Sequence, residues 1–274
     1  MVATGRREVR VGAMRNAVAY LFLAALTWLP PTGAAAPAGR IVSLDLCTDW
    51  MLAHHVTPAR VAALSPLHRQ FPVAWLGAGW PVHDGTLEQV LQFKPDLVIT
   101  GEYNALLLRR RLQALRVRVE VLPLPRSLAD IRAYEERMLR LLDLPPELAS
   151  AAPSTAAADG KSRPRPRLLL LGANGIGTGR GTFEDGILEY AGWTNYLNEA
   201  GYPRLDLERV VLDPPDAILW AAPGSRALAN RFAEHPVLKR AVAADRWLIT
   251  DYWRWQCPGP WTWELTAELR QWLD

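Results

Sequence analysis

The side chains that most often bind metals or act as nucleophile and base are sparse in this chain. It has two cysteines, Cys47 and Cys257, and five histidines, His54, His55, His68, His83 and His235. No C-x-x-C, H-E-x-x-H or G-x-S-x-G run occurs, and only His54 and His55 are close in sequence. Adjacent residues on a helix diverge by about 100° and do not share a face, so a metal site is not expected there. Gly160-Lys161-Ser162 has the end of a phosphate loop, but Thr155 stands where the earlier glycine is needed and no strand pattern precedes it. Glycines 172, 175, 177, 179 and 181 follow an apolar run and fit no G-x-G-x-x-G register. Two readings of that loop stay open: a tight turn, or a ligand-contacting loop whose amides and Arg180 meet an anion. One stretch stands apart. DYWRWQCPGPWTW, residues 251–263, carries five aromatic rings and one of the two cysteines. Rings on a loop suit stacking against a broad, rigid ligand and offer nothing to acid–base chemistry. No catalytic residue is assigned.

Where the chain is used bears on these groups. Residues 1–15 hold Arg6, Arg7, Arg10 and Arg15 against Glu8; the uncharged run 17–29 follows, then TGAAAPAG. A basic start, a short apolar centre and a small-residue exit predict a signal peptide over residues 1–36, cleaved near Ala35 or Ala36, and a periplasmic location. The apolar run has thirteen residues, short of the roughly 20 that span a bilayer. The whole chain is formally +3 and the leader accounts for four arginines less one glutamate, also +3. The remainder is near neutral, which argues against a nucleic-acid footprint.

The elements that must position the aromatic groups follow from a repeat. TLEQVLQFKPDLVIT (86–100) and DLERVVLDPPDAILW (206–220) match at an offset of 120, pairing Leu87 with Leu207, Glu88 with Glu208, Pro95 with Pro215 and Asp96 with Asp216. Each copy reads as a short helix, a Pro-Asp turn and a buried strand. Leu87, Val90 and Leu91 give one apolar helix face, and the strand is a continuous apolar run, as expected for a parallel strand covered on both sides. Strands and helices alternate through both halves. The expected fold is α/β: two Rossmann-like lobes with parallel sheets joined by a single connecting helix, and a ligand cleft between the lobes. The expected bounds are an N-terminal lobe over 37–126, a connector over 127–165 that Pro153 and the Ala-rich stretch curtail, and a C-terminal lobe over 166–274.

With these features the chain resembles the periplasmic metal-chelate binding proteins, the cobalamin/ferric-siderophore class of ABC-importer substrate-binding proteins, over about residues 40–274. RIVSLDLCTDWML resembles the family's opening strand and first helix, TLEQVLQFKPDLVIT its most recognisable segment, and LPLPRSLADIRAYEERMLRLL its entry to the connecting helix. FEDGILEYAGWTNY and LERVVLDPPDAIL resemble parts of the second lobe. The resemblance implies capture of a corrinoid, ferric siderophore or haem as cargo, with no resident cofactor and no enzymatic activity. It implies a monomer that docks on a permease dimer, with Glu88 and Glu208 as the acid that each lobe offers.

Ligands of open α/β sheets bind outside the carboxyl ends of the strands. On that rule Trp80, His83, Tyr103, Tyr252, Trp253 and Trp255 are expected at the cleft, with Arg180 beside them, and Trp261 and Trp263 are expected to pack their own helix. Cys47 and Cys257 are then both expected at the cleft, one from each lobe. Three states stay open for them: a disulfide stapling the lobes, a thiolate near a helix start that reaches a ligand's metal, or two free thiols. Two other functions remain as alternatives: an exported enzyme using the cleft, which would need a base or nucleophile beyond isolated His and Cys, and a binding subunit that signals to a sensor.

Overall fold

The apolar runs of the sequence form two four-stranded parallel sheets in a computed structural model that describes residues 1, 39–153, 164–222 and 228–273. The expected leader, the Gly160-Lys161-Ser162 fragment and the connector's tail therefore lie outside the described residues. The first lobe holds β1 (Ile41–Ser43), α1 (Leu46–His55), β2 (Val61–Ala63), α2 (Leu67–Gln70), α3 (Leu87–Gln92), β3 (Leu97–Gly101), α4 (Leu106–Ala114) and β4 (Val119–Leu122). A connecting helix, α5 (Asp130–Leu141), follows. The second lobe holds β5 (Arg167–Leu171), α6 (Phe183–Tyr190), β6 (Thr194–Asn195), α7 (Leu207–Leu212), β7 (Ala217–Ala222), α8 (Pro236–Ala241), β8 (Trp247–Asp251), α9 (Tyr252–Gln256) and α10 (Thr262–Gln271). The strand orders are β2-β1-β3-β4 and β6-β5-β7-β8, the same topology twice, with every pairing parallel.

The repeated Pro-Asp has one structural job in each lobe. Asp96 accepts from the Arg40 amide at 3.0 Å, while its own amide donates to the Arg40 carbonyl at 2.9 Å. Asp216 accepts from the Arg167 amide at 2.6 Å and donates to the Arg167 carbonyl at 3.0 Å. Each aspartate thereby sets where the first strand of its lobe begins beside the repeated strand. The helix before each strand is capped by the residue ahead of it: Thr86 accepts from the Gln89 amide, and Asp206 from the Glu208 and Arg209 amides. Such caps contribute about 1 kcal/mol each.

Both lobes belong to one compact unit, Ala38–Asp274, and side chains cross between their cores. On α5, Ile131 is buried in the second lobe's core, whereas Tyr134, Met138 and the following Leu142 are buried in the first. From the chain end, Trp261 and Cys257 sit in the first lobe's core with Trp253 packed against it, while Trp255 is buried in the second. An indole removes about 150–250 Å² from water, which at about 25 cal/mol/Å² is roughly 4–6 kcal/mol. That scale is why residues 253–261 hold the lobes together.

Candidate functional site

Between the lobes, the segments leaving the carboxyl ends of the strands line a cavity of about 490 Å³. The first lobe contributes Glu102 and Tyr103 after β3 and Leu124, Pro125 and Arg126 after β4; the second contributes residues 181–184, Gly201, Tyr202, Trp255, Gln256 and Pro258. A second cavity of about 310 Å³ runs into the second lobe beneath Ile176, Tyr252 and Ala221, and shares Glu184, Tyr202, Trp255 and Gln256 with the first. The joined space is mostly apolar and aromatic with a few convergent polar groups, the general character of a small-molecule site.

Its polar centre is Glu184. Thr182 caps α6 by accepting from the Asp185 amide, so Glu184 falls in the helix's first turn, buried at the cavity wall. The Tyr202 hydroxyl donates to its carboxylate at 3.1 Å and the Gln256 amide at 3.4 Å. Burial raises the Glu184 pKa, and these hydrogen bonds offset that in part. Burial and then the Glu184 carboxylate also push the Tyr202 and Tyr252 phenols up, so both remain neutral. Tyr103, by contrast, is 69% exposed at the mouth.

Of the residues expected at the cleft, Tyr103, Tyr252 and Trp255 line this space. Trp255 is buried apart from that wall, and its indole N–H donates to Thr250 Oγ1 at 3.3 Å. The others lie elsewhere. Trp80 packs against the first lobe's core. His83 is buried: its Nε2 contacts the Ser43 carbonyl at 2.8 Å and its Nδ1 accepts from the Gly85 amide at 2.9 Å. Both ring nitrogens are thus engaged in holding the turn before α3, and burial lowers the ring's pKa. Trp253 lies 4.4 Å from the Phe71 ring at the first lobe's core, because α9 turns it away from the side that presents Tyr252 and Trp255. Trp261 packs against Trp50 and Trp75 in the first lobe, and Trp263 against Tyr190 in the second.

The glycine loop is a turn built for close backbone approach. A Cβ on Gly179 would lie 2.0 Å from the Glu199 carbonyl oxygen. The amides of Gly177, Gly179 and Arg180 donate to Pro203, Gly201 and Glu199, which leaves them unavailable to an anion, and the Arg180 guanidinium donates to Asn198 at 2.6 Å. Gly181 and Thr182, at the loop's end, reach the interlobe cavity, while Gly172, Ile176 and Thr178 line the space that continues into the second lobe.

Cys47, in the first turn of α1, and Cys257, just past α9, form a disulfide with a Cα–Cα distance of 4.9 Å. Both are buried, so neither thiol is offered to a ligand. Glu184, Tyr202 and Gln256 were not singled out from sequence. The signal available for Glu184 was an acid in the first turn of a helix that starts at a strand's carboxyl end; Tyr202 carries no local signal.

No family model matches the sequence, and no curated protein matches it. Solved structures do. A periplasmic haem-binding protein from Pseudomonas aeruginosa is 24% identical, with a TM-score of 0.66 over 85% of this chain and 91% of its own. A candidate iron-binding periplasmic solute-binding protein from Staphylococcus epidermidis is 17% identical, with a TM-score of 0.66 over 86% and 98%. The periplasmic vitamin B12-binding protein of Vibrio cholerae is 19% identical, with a TM-score of 0.59 over 86% and 97%. The fold is that of two-lobed periplasmic solute-binding proteins. Within that class, its structural neighbours include binders of haem and of vitamin B12 and a candidate binder of iron.

Proposed function

We propose that the protein is a periplasmic receptor that captures a metal chelate in the interlobe cleft and delivers it to an ABC importer permease, by binding alone. The observation that carries this is the shared cavity, lined by Tyr103 from one lobe and by Tyr202, Trp255 and Glu184 from the other. Haem is the chelate that the lining favours. Ferric haem iron takes a tyrosine oxygen among its known axial ligands, and the Tyr103 phenol is exposed while that of Tyr202 is engaged with Glu184. Arg126, exposed on the rim, suits the carboxylates that haem carries. Several structural neighbours are haem binders. Corrinoids and ferric siderophores are the competing cargoes.

The test is titration of the ligand-free protein with haemin, cobalamin and a ferric catecholate. Haemin is expected to quench tryptophan fluorescence and shift its own absorption band, and Tyr103→Phe to weaken it at least tenfold. If none of the three changes either signal, the reading fails. Glu184→Gln supplies a second measurement. A ferric centre favours the ionised carboxylate, so wild-type affinity should rise with pH through the elevated Glu184 pKa. In the Gln variant that rise should flatten; an unchanged profile would remove Glu184 from the site.

Delivery rests on Glu88 and Glu208, each exposed in the first turn of α3 or α7. A helix leading into a parallel strand starts near the carboxyl edge of the sheet, so both acids stand towards the cleft side of their lobes. One acid per lobe suits a two-fold permease, where rim charges govern approach and orientation. Uptake of the cargo by cells carrying the double variant Glu88→Ala/Glu208→Ala should be lost while affinity in solution is unchanged. Full uptake by that variant would remove these acids from docking.

A further inference from the structure

Away from the cleft, the last turn of α1 meets the connecting helix α5. His54 and His55 end α1, their rings 4.9 Å apart and nearly perpendicular. Glu135 of α5 points at them from a side chain that is 0% exposed. Its carboxylate accepts from the Ser150 amide at 2.8 Å and the Ser150 hydroxyl at 3.3 Å. One nitrogen or oxygen from each of the three side chains lies within 4.8 Å of the others. Adjacent helical residues do leave the axis in different directions. Here the two imidazoles at the helix end nonetheless bring a nitrogen each within 4.8 Å of the other, with the third donor supplied by another helix.

The contact between His55 and Glu135 is unusual. His55 Nε2 lies 3.1 Å from Glu135 Oε1, with the imidazole 7% exposed, yet this nitrogen has no hydrogen-bond partner among the described residues. Close approach without hydrogen-bond alignment leaves the nitrogen's donor or acceptor capacity unused beside a carboxylate oxygen. Two donors about 2.0–2.2 Å from one ion also lie close without bonding each other. A carboxylate held this deep is costly unless a cation compensates it.

We propose that His54, His55 and Glu135 form a binding site for a divalent transition-metal ion of the zinc class, remote from the chelate cleft. Two imidazoles and one carboxylate are a donor set suited to zinc. The cluster borders a cavity of about 590 Å³ lined by His54, Trp75, Ser150 and Glu264, which gives an ion a route in. The ion ties the first lobe's helix α1 to α5 and, through Glu135 and Ser150, to the chain that leads into the second lobe. This holds whatever the cleft carries.

Tag-free protein, stripped with a chelator, is titrated with zinc chloride by calorimetry, with cobalt(II) as a spectroscopic stand-in. One zinc per chain is expected, with a rise in Tm that follows zinc concentration and a ligand-field band from protein-bound cobalt. Copper(II) should quench fluorescence, since the Trp75 and Trp261 rings are each 6.2 Å from His54. His54→Ala is an exposed change that preserves the core and should weaken zinc at least tenfold; His55→Gln should do the same. Tyr103→Phe should leave zinc binding unchanged. If wild type binds zinc no better than His54→Ala, or if Tyr103→Phe abolishes binding and His54→Ala does not, the inference is overturned.

Discussion

Protein lacking the Cys47–Cys257 bond is expected to unfold at a markedly lower denaturant concentration than the oxidised form, with a stability loss of several kcal/mol. The bond closes a loop of 210 residues. The chain-entropy treatment gives about 5 kcal/mol for a loop of that length, and measured losses from native disulfides run at roughly 2–5 kcal/mol. Most of the effect arises in the unfolded chain, because the folded contacts at the joint survive: Trp253 and Trp261 still pack on the first lobe and Trp255 on the second. The suitable variant is the double replacement Cys47→Ala/Cys257→Ala, since a single change leaves a free thiol and serine would bury a hydroxyl at a site that is 0% exposed at residue 257. Urea titration should show a lower midpoint and a larger m-value, the unfolded chain exposing more surface without the crosslink. Chelate affinity should move much less than stability, as the cavity walls do not depend on the sulfurs. Coincident urea curves for the two proteins would show that the crosslink contributes nothing.

The plan of two lobes was legible because it rests on periodicity and on a repeat. Apolar runs bounded by Pro-Asp, recurring at a fixed offset, leave little choice of architecture, and Asp96 and Asp216 make equivalent hydrogen bonds in the two lobes. The site was legible only as a place. The carboxyl-edge rule put residues after β3 and β8 near the cleft, but it does not say which way a side chain points on a single turn. In α9, Tyr252 and Trp255 face the cavity while Trp253 between them enters the first lobe's core. His83 was expected at the cleft on the same rule, from the place of its segment just before the repeat; the Ser43 carbonyl and the Gly85 amide, 40 and 2 residues away, occupy both nitrogens. The pairing of Tyr202 with Glu184 joins residues 18 apart through a loop of no regular pattern, which no local period encodes.

A second large effect is expected from pH, through one aspartate in the first lobe. Asp49 lies on α1 and is fully buried. It accepts from the Ser65 amide at 2.9 Å, and its other oxygen is 2.5 Å from the Ser65 hydroxyl, joining α1 to the segment after β2. Burial pushes its pKa up to about 8, and the carboxyl of Asp45, one turn back, adds to the rise. The unfolded chain loses this proton near the ordinary value of 3.8, whereas the folded protein keeps it until about pH 8. Between those two values the folded state holds more protons, so stability falls as pH rises, by up to about 1.4 kcal/mol per pH unit. Asp49→Asn has the shape of the protonated acid: its oxygen can accept from the Ser65 amide and its amide can donate to the Ser65 hydroxyl. The variant should match wild type near pH 4 and exceed it by several kcal/mol at pH 8, with Tm measured across that range as the readout. Parallel Tm profiles for the two proteins between pH 5 and 8 would mean that Asp49 is already ionised in the fold, and that its two bonds to Ser65 are enough to hold a buried charge.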